Sequence, residues 1–265
     1  MSAPSQENTV KVNINQVIEH FNNCIEKAEA FCCLARSSRL QLEHCMVLDM
    51  LLPEATRIKR QAINRKDEER ANLFLGFECV IGAVRSELLM WILLKREMPN
   101  EAWDQYVAAR MACADAMRAH KGFENCEQRL EVLTRLEERV FPPQVFMSAA
   151  FVSDRLDCSI CGERYSKCEH LRGMPYTGVF CEVVHRNPRG DHVSIVKDPA
   201  DRRCRVVSFK TRDGHKDKMS WEVSPYKEGE RYAEDEGLET NGRILVFDRY
   251  PYLKTTDQVL GPLKS

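Results

Sequence analysis

The residues best suited to chemistry fall in one short run, Cys158-Ser-Ile-Cys161-Gly-Glu-Arg-Tyr-Ser-Lys-Cys168-Glu-His170. Its pattern is C-x2-C-x6-C-x-H. A Cys-x2-Cys turn aims two thiolates at one point, and Gly162 supplies the small residue that a tight turn needs. On an extended segment Cys168 and His170 project to the same face, because side chains alternate with a period of two. Three thiolates and one imidazole complete a tetrahedral zinc shell and leave no open position. The expectation is one structural Zn2+ per chain, held by Cys158, Cys161, Cys168 and His170. Cys181, beyond Gly173 and Gly178, is a reserve ligand able to replace Cys168 or His170. His185 and His192 are more distant reserves. The plain alternative is a set of ordinary reduced thiols, since the chain has 12 cysteines. Two close donor pairs with a Gly and a nearby His are hard to obtain by chance. The gap between the pairs is short for a zinc ribbon.

A second group of residues is basic. Arg186, Arg189, Lys197, Arg202, Arg203, Arg205, Lys210, Arg212, Lys216 and Lys218 come after the metal run. Basic residues beside a zinc module can contact nucleic acid phosphates, with Arg202, Arg203 and Arg205 as the candidate contacts. Interleaved aspartates favour a solvated surface of mixed sign instead. No nucleophile elbow, phosphate loop, dinucleotide fingerprint or His-Glu-x-x-His helix occurs, so no catalytic residue is assigned and an enzyme is not favoured. His20 and His44 lie on expected helices but read as structural or exposed. Cys32 and Cys33 are adjacent on a helix and point in different directions, which argues against a redox pair.

The elements that must position these groups divide into two parts. Hydrophobic residues are 43% of 265, enough for a substantial core. The net charge of -1 gives no global pull toward nucleic acid. The longest apolar run, Leu88–Leu94, is far below the ~20 residues of a membrane helix. Residues 1–12 read as a flexible polar terminus. Residues 13–141 read as an antiparallel helical bundle, poor in Gly and rich in Ala, Leu, Glu and Arg. Pro53 is expected to interrupt one helix and start another, and a break is expected near 64–67. Asn100 is expected to cap the helix that begins after Pro99. Pro142-Pro143 marks the domain boundary. Residues 144–250 read as a zinc-binding, β-rich domain, with strands expected at 179–184, 192–196, 203–210, 219–223 and 244–247. Asp213-Gly214 suggests a hairpin. Residues 251–265 read as a peripheral tail.

From Cys158 onward the spacing Cys158-x2-Cys161-Gly-x5-Cys168-x-His170-x2-Gly173-x2-Tyr176-x-Gly178-x2-Cys181 resembles a small zinc-binding module of bacterial and phage proteins. His192-Val-Ser-Ile-Val196 and Pro199-Ala200-Asp201 are similar to the segment on the C-terminal side of that module. Some copies occur in phage head-maturation or portal-associated proteins, and others come after helical regions of unassigned function. The likeness covers about residues 146–210. It implies Cys158, Cys161, Cys168 and His170 as metal ligands, with Cys181 next. The protease part of head-maturation proteins is not recognisable in this sequence, so protease activity is not implied.

Together these readings give an α+β protein with a helical bundle and then a small zinc-stabilised β-rich domain. The expected role is a cytoplasmic zinc-binding interaction or adaptor protein of bacterial or phage origin. Its expected partner is another protein, or a second copy of the chain, bound through the helical domain. A nucleic-acid-binding protein using residues 186–218 is the alternative. A metal-dependent hydrolase ranks third, because it needs an open coordination position. No membrane association is expected.

Overall fold

The computed structural model describes residues 13–233 and 237–261, so the polar terminus at 1–12 and the last four residues lie outside the described residues. The fold is α+β. Helix α1 spans Ile14–Glu29 and buries Val17, Phe21, Ile25 and Ala28. Their three- and four-residue spacing puts them on one stripe. Helix α2 spans Ser38–Asn64 and contains Pro53. The expected interruption at Pro53 does not occur. Pro53 sits on the exposed face, where the Asp49 carbonyl that loses its N–H partner can meet water. Cys45, Leu48, Leu51, Ala55 and Ile58 on the other face stay in the core and carry the helix through. The helix still contains an unfavourable residue. Pro53→Ala is expected to stabilise the protein by about 1–3 kcal/mol, measured as a higher urea midpoint at unchanged slope.

Helix α3, Glu68–Lys95, begins after the expected break, with the Asp67 side chain accepting from the Arg70 N–H at 3.1 Å. It is mostly apolar and buried on every side, with Glu78, Arg85 and Glu87 among the buried residues that run from Phe74 to Leu93. That pattern belongs to a central helix, and α3 packs on both α2 and the next helix, α4, Pro99–Ala119. Asn100 does not cap α4, because Pro99 already occupies its first turn. The Asn100 amide instead donates to Asp217 and its carbonyl accepts from Arg205, tying α4 to the strand region. Helix α5 spans Cys126–Val140 and packs on α4.

The remainder forms small antiparallel sheets. Strand β1, Phe146–Val152, pairs with β6, Arg189–Val196, as a two-stranded ribbon. Strand β2, Arg155–Cys158, pairs with β5, Val183–Arg186. Strands β3, Pro175–Tyr176, and β4, Val179–Phe180, form a short hairpin. Strands β7, Val206–Thr211, and β8, Gly214–Asp217, form the hairpin expected at Asp213-Gly214. The short strands β9, Val223–Ser224, and β10, Thr240–Gly242, complete that sheet in the order β10-β7-β8-β9. The strand expected at 179–184 is split, because the Cys181 N–H turns to the Met174 carbonyl at 2.9 Å. No strand forms at 244–247, where Phe247 is 91% exposed.

The helical and strand parts share one hydrophobic core. Phe146, Phe180 and Met219 join the cluster built by the helices. The Trp103 indole N–H donates to the Arg202 carbonyl at 3.0 Å. The tail is not peripheral where it is described. Tyr252 is 1% exposed and packs on Gly82 of α3, where an added Cβ would lie 2.6 Å from the Tyr252 carbonyl oxygen. Its hydroxyl donates to Asp115 at 2.7 Å, and its carbonyl accepts from the buried Arg85 at 2.7 Å. Arg85 also pairs with Asp49 at 2.5 Å. Asp49 accepts from the Thr256 N–H at the start of α6, Thr256–Leu260. An aromatic ring with a paired polar end can sit deep in a core, and this one closes the bundle.

Candidate metal centre

The last residue of β2 is Cys158, held opposite Val183 of β5. Beyond it the chain makes a tight turn. The Gly162 N–H donates to the Cys158 carbonyl at 2.9 Å, and the Ile160 N–H points at the Cys158 sulfur at 3.4 Å. Gly162 has φ +74°, with open space where a Cβ would lie. Backbone conformation, and not crowding, is therefore what requires glycine there. A single 3-10 turn, Tyr165–Lys167, leads to Cys168, which is extended at φ -106° and ψ 155°. Extension places Cys168 and His170 on the same side, as the alternation of a strand demands. The Tyr176 ring packs nearly perpendicular to the His170 imidazole, with centroids 4.6 Å apart. The Tyr176 hydroxyl accepts from the Leu171 N–H at 2.9 Å, and the Tyr165 hydroxyl accepts from the Arg172 N–H at 3.0 Å. Two phenols thus fix the loop that carries His170.

The donor atoms of Cys158, Cys161, Cys168 and His170 all lie within 4.8 Å of one another. Neighbouring donors in a tetrahedral zinc shell are separated by about 3.8 Å or less, so a small inward movement would close this set on an ion. The chemistry of the imidazole fits. His170 Nδ1 is buried and has no hydrogen-bond partner, an unfavourable state for a polar atom that a metal bond would relieve. The thiols fit as well. Burial opposes ionisation of Cys158, but the backbone N–H groups of Cys161 and Ile160 and the Cys181 and Cys168 thiols outweigh it and bring Cys158 down to about 6. A thiol that ionises readily is a ready metal ligand. Cys168 is shifted upward, by burial above all.

Cys181 is brought to the same place. Its sulfur is 3.6 Å from that of Cys158, and its side chain is fully buried. Burial first, and then the neighbouring Cys158, push it up to about 11. The four-donor cluster forms without it, and Cys181 stands behind Cys158 as a fourth sulfur.

One contact beside the cluster is not legible in the spacing. Asp157, next to Cys158, is clamped by Arg155 at 2.6 Å and by Arg186 at 2.8 Å across the β2–β5 pair. Hydrogen bonds from Arg155 and then Arg186 hold its carboxyl down to about 2. A depressed carboxyl of this kind contributes stability above its ordinary value of 3.8 and loses it as pH falls through about 2. Arg155 and Asp157 share one face of β2, and the strand register brings Arg186, 29 residues from Asp157, alongside them.

The other candidates fall elsewhere. Arg202 pairs with Glu137 and lies over the Phe146 ring at 4.4 Å. Arg203 is 4% exposed and grips Asp201, while Arg205 is 1% exposed and bonds Asn100 and Gln144. These three arginines, expected as possible nucleic acid contacts, instead hold the interior junction together. His185 bonds Ser153 and His192 bonds Asp191, so neither reserve histidine joins the cluster. The His44 ring packs on Phe31. Cys32 reaches the Val84 carbonyl on α3, and burial raises its thiol. All 12 cysteines are free thiols. Among the described residues no helix is long and apolar enough to cross a membrane.

No family model matches the chain, and no curated protein or solved structure matches it. The geometry itself therefore carries the assignment: this chain has a Cys3His cluster that could hold a metal ion.

Proposed function

We propose that the protein is a zinc-binding interaction protein whose metal is structural. The observation that carries this reading is the four-donor cluster of Cys158, Cys161, Cys168 and His170. Thiolate-rich tetrahedral sites suit zinc, and four protein donors leave no place for substrate or an activated water. That donor count speaks against a hydrolase. The module around the cluster has short strands and little core of its own, the setting in which a metal supplies folding energy. Its spacing is that of the bacterial and phage module it resembles, which supports an origin of that kind. Twelve free thiols suit the reducing environment of a cytoplasm. Burial of Arg203 and Arg205, and the pairing of Arg202 with Glu137, remove the main support for nucleic acid binding.

The interaction part of the proposal rests on the helical domain. Met46 and Met50 are four residues apart on α2 and are 51% and 70% exposed. Adaptable, polarizable methionines on an open helix face suit a protein partner or a second copy of the chain. Elemental analysis of protein purified without added metal is expected to find about one zinc per chain. Less than a third of an equivalent in folded protein would overturn the zinc reading. Affinity capture from the native host, and light scattering of the pure protein, are expected to show a partner or self-association that Met50→Asp weakens. A monomer with identical captures for both proteins would overturn the interaction reading.

A further inference from the structure

A cavity of about 480 Å³ opens where α4, β1, the metal module and residues 244–249 meet. Its volume is in the range of about 300–1,000 Å³ typical of small-molecule sites. Its lining includes the apolar Met147, Ala149 and Leu245. Arg118, Arg172 and Arg249 also line it. They come from α4, the metal module and the tail, so the fold alone brings them together. A Cβ on Gly173 would lie 3.7 Å from Arg118 Nε, so Arg118 lies against the backbone that carries Arg172.

The carboxylates on the cavity wall are already engaged. Asp115 accepts from Tyr252, Arg118 and Arg249. Asp201 is gripped by Arg203, and Asp248 meets Lys254 at 2.7 Å. Arg118 and Arg249 therefore share one wall carboxylate, with Arg249 also reaching Glu182 at 3.1 Å. Arg172 is exposed, and its guanidinium makes no hydrogen bond or ion pair among the described residues. A guanidinium has five N–H donors, and Arg118 contributes one nitrogen to Asp115. Donors thus remain on two arginines beside these apolar side chains.

We propose that this cavity binds a small organic anion with an apolar body, of the class of a medium-chain carboxylate. Arg172 and Arg118 hold the carboxylate by charge-assisted hydrogen bonds, and the Met147–Leu245 side takes the chain. The proposal does not depend on which metal fills the neighbouring cluster.

Titration calorimetry of the full chain with octanoate, 1-octanol and inorganic phosphate tests it. Saturable binding of one octanoate per chain is expected, with 1-octanol and phosphate each weaker by about tenfold or more, since a charge-assisted hydrogen bond and a buried chain are both worth at least that factor. Arg172→Ala, at an exposed and unpaired side chain, is expected to weaken octanoate by about tenfold or more. Arg172→Lys is expected to fall between, keeping charge and losing the fork. Arg39→Ala, on α2, is expected to leave affinity unchanged. Absence of saturable octanoate binding, equal affinity for 1-octanol or phosphate, or an Arg172→Ala variant that binds as well as the parent would each overturn the proposal.

Discussion

Replacing Cys158 with Ser is expected to remove the bound metal and unfold the module of residues 153–186, while the helices persist. The effect is large because metal binding and module folding are the same event. Structural zinc contributes about 10–16 kcal/mol in small modules, far more than these two-stranded sheets can supply alone. Cys158 is also the hub of the site. It ends β2, accepts from Ile160 N–H, and lies 3.6 Å from the Cys181 sulfur. Cys161→Ser is expected to act in the same way. The helical core should survive, because α3 is buried chiefly between α2 and α4. Metal analysis should therefore fall from about one equivalent to a small fraction. Amide exchange protection should vanish in 153–186, with the helical circular dichroism largely retained. Cys32→Ser and Cys33→Ser, in the helical part, should keep full metal content. A Cys158→Ser protein with full metal would overturn the ligand set. Cys181→Ser and His170→Ala separate the two candidates for the fourth position: loss of metal in the first and not the second would replace His170 by Cys181.

The second large effect is expected at the tail. Tyr252→Ala should destabilise the protein by about 3–5 kcal/mol, the range for deleting a buried aromatic ring. The ring is 1% exposed against Gly82, and its hydroxyl bonds Asp115. Tyr252→Phe keeps the ring and loses only that bond, so about 1–3 kcal/mol is expected. Asp49→Ala should match Tyr252→Ala, because it leaves the fully buried Arg85 side chain without its carboxylate. Urea unfolding measures all three. A tail that contributed little would show shifts below about 0.5 kcal/mol, the usual range for surface changes.

Much of this architecture can be read from residue order alone. Helical periodicity reports a face, so the buried stripe of α1 and the all-round burial of α3 stem from where apolar residues recur. Local turn chemistry is equally direct. Asp67 caps α3, and the Asp213-Gly214 hairpin forms where it is written. The metal donors are legible for the same reason: Cys158, Cys161, Cys168 and His170 lie within thirteen residues, and short loops bring them together without help from distant segments. Several of the mistaken expectations concern contacts that packing decides. Pro53 reads as a helix break, but core contacts across α2 override one missing hydrogen bond. Arg202 and Arg205 read as part of a basic surface because their partners Glu137 and Asn100 are on helices, 65 and 105 residues away. Tyr252 reads as part of a peripheral tail because Asp115 and Arg85, which hold it in the core, lie 137 and 167 residues earlier. Sequence spacing encodes what one turn or one strand can place on a common face. Pairing between charges and partners brought together by packing is decided only when the chain has folded, because burial then makes an unpaired polar group too costly to leave.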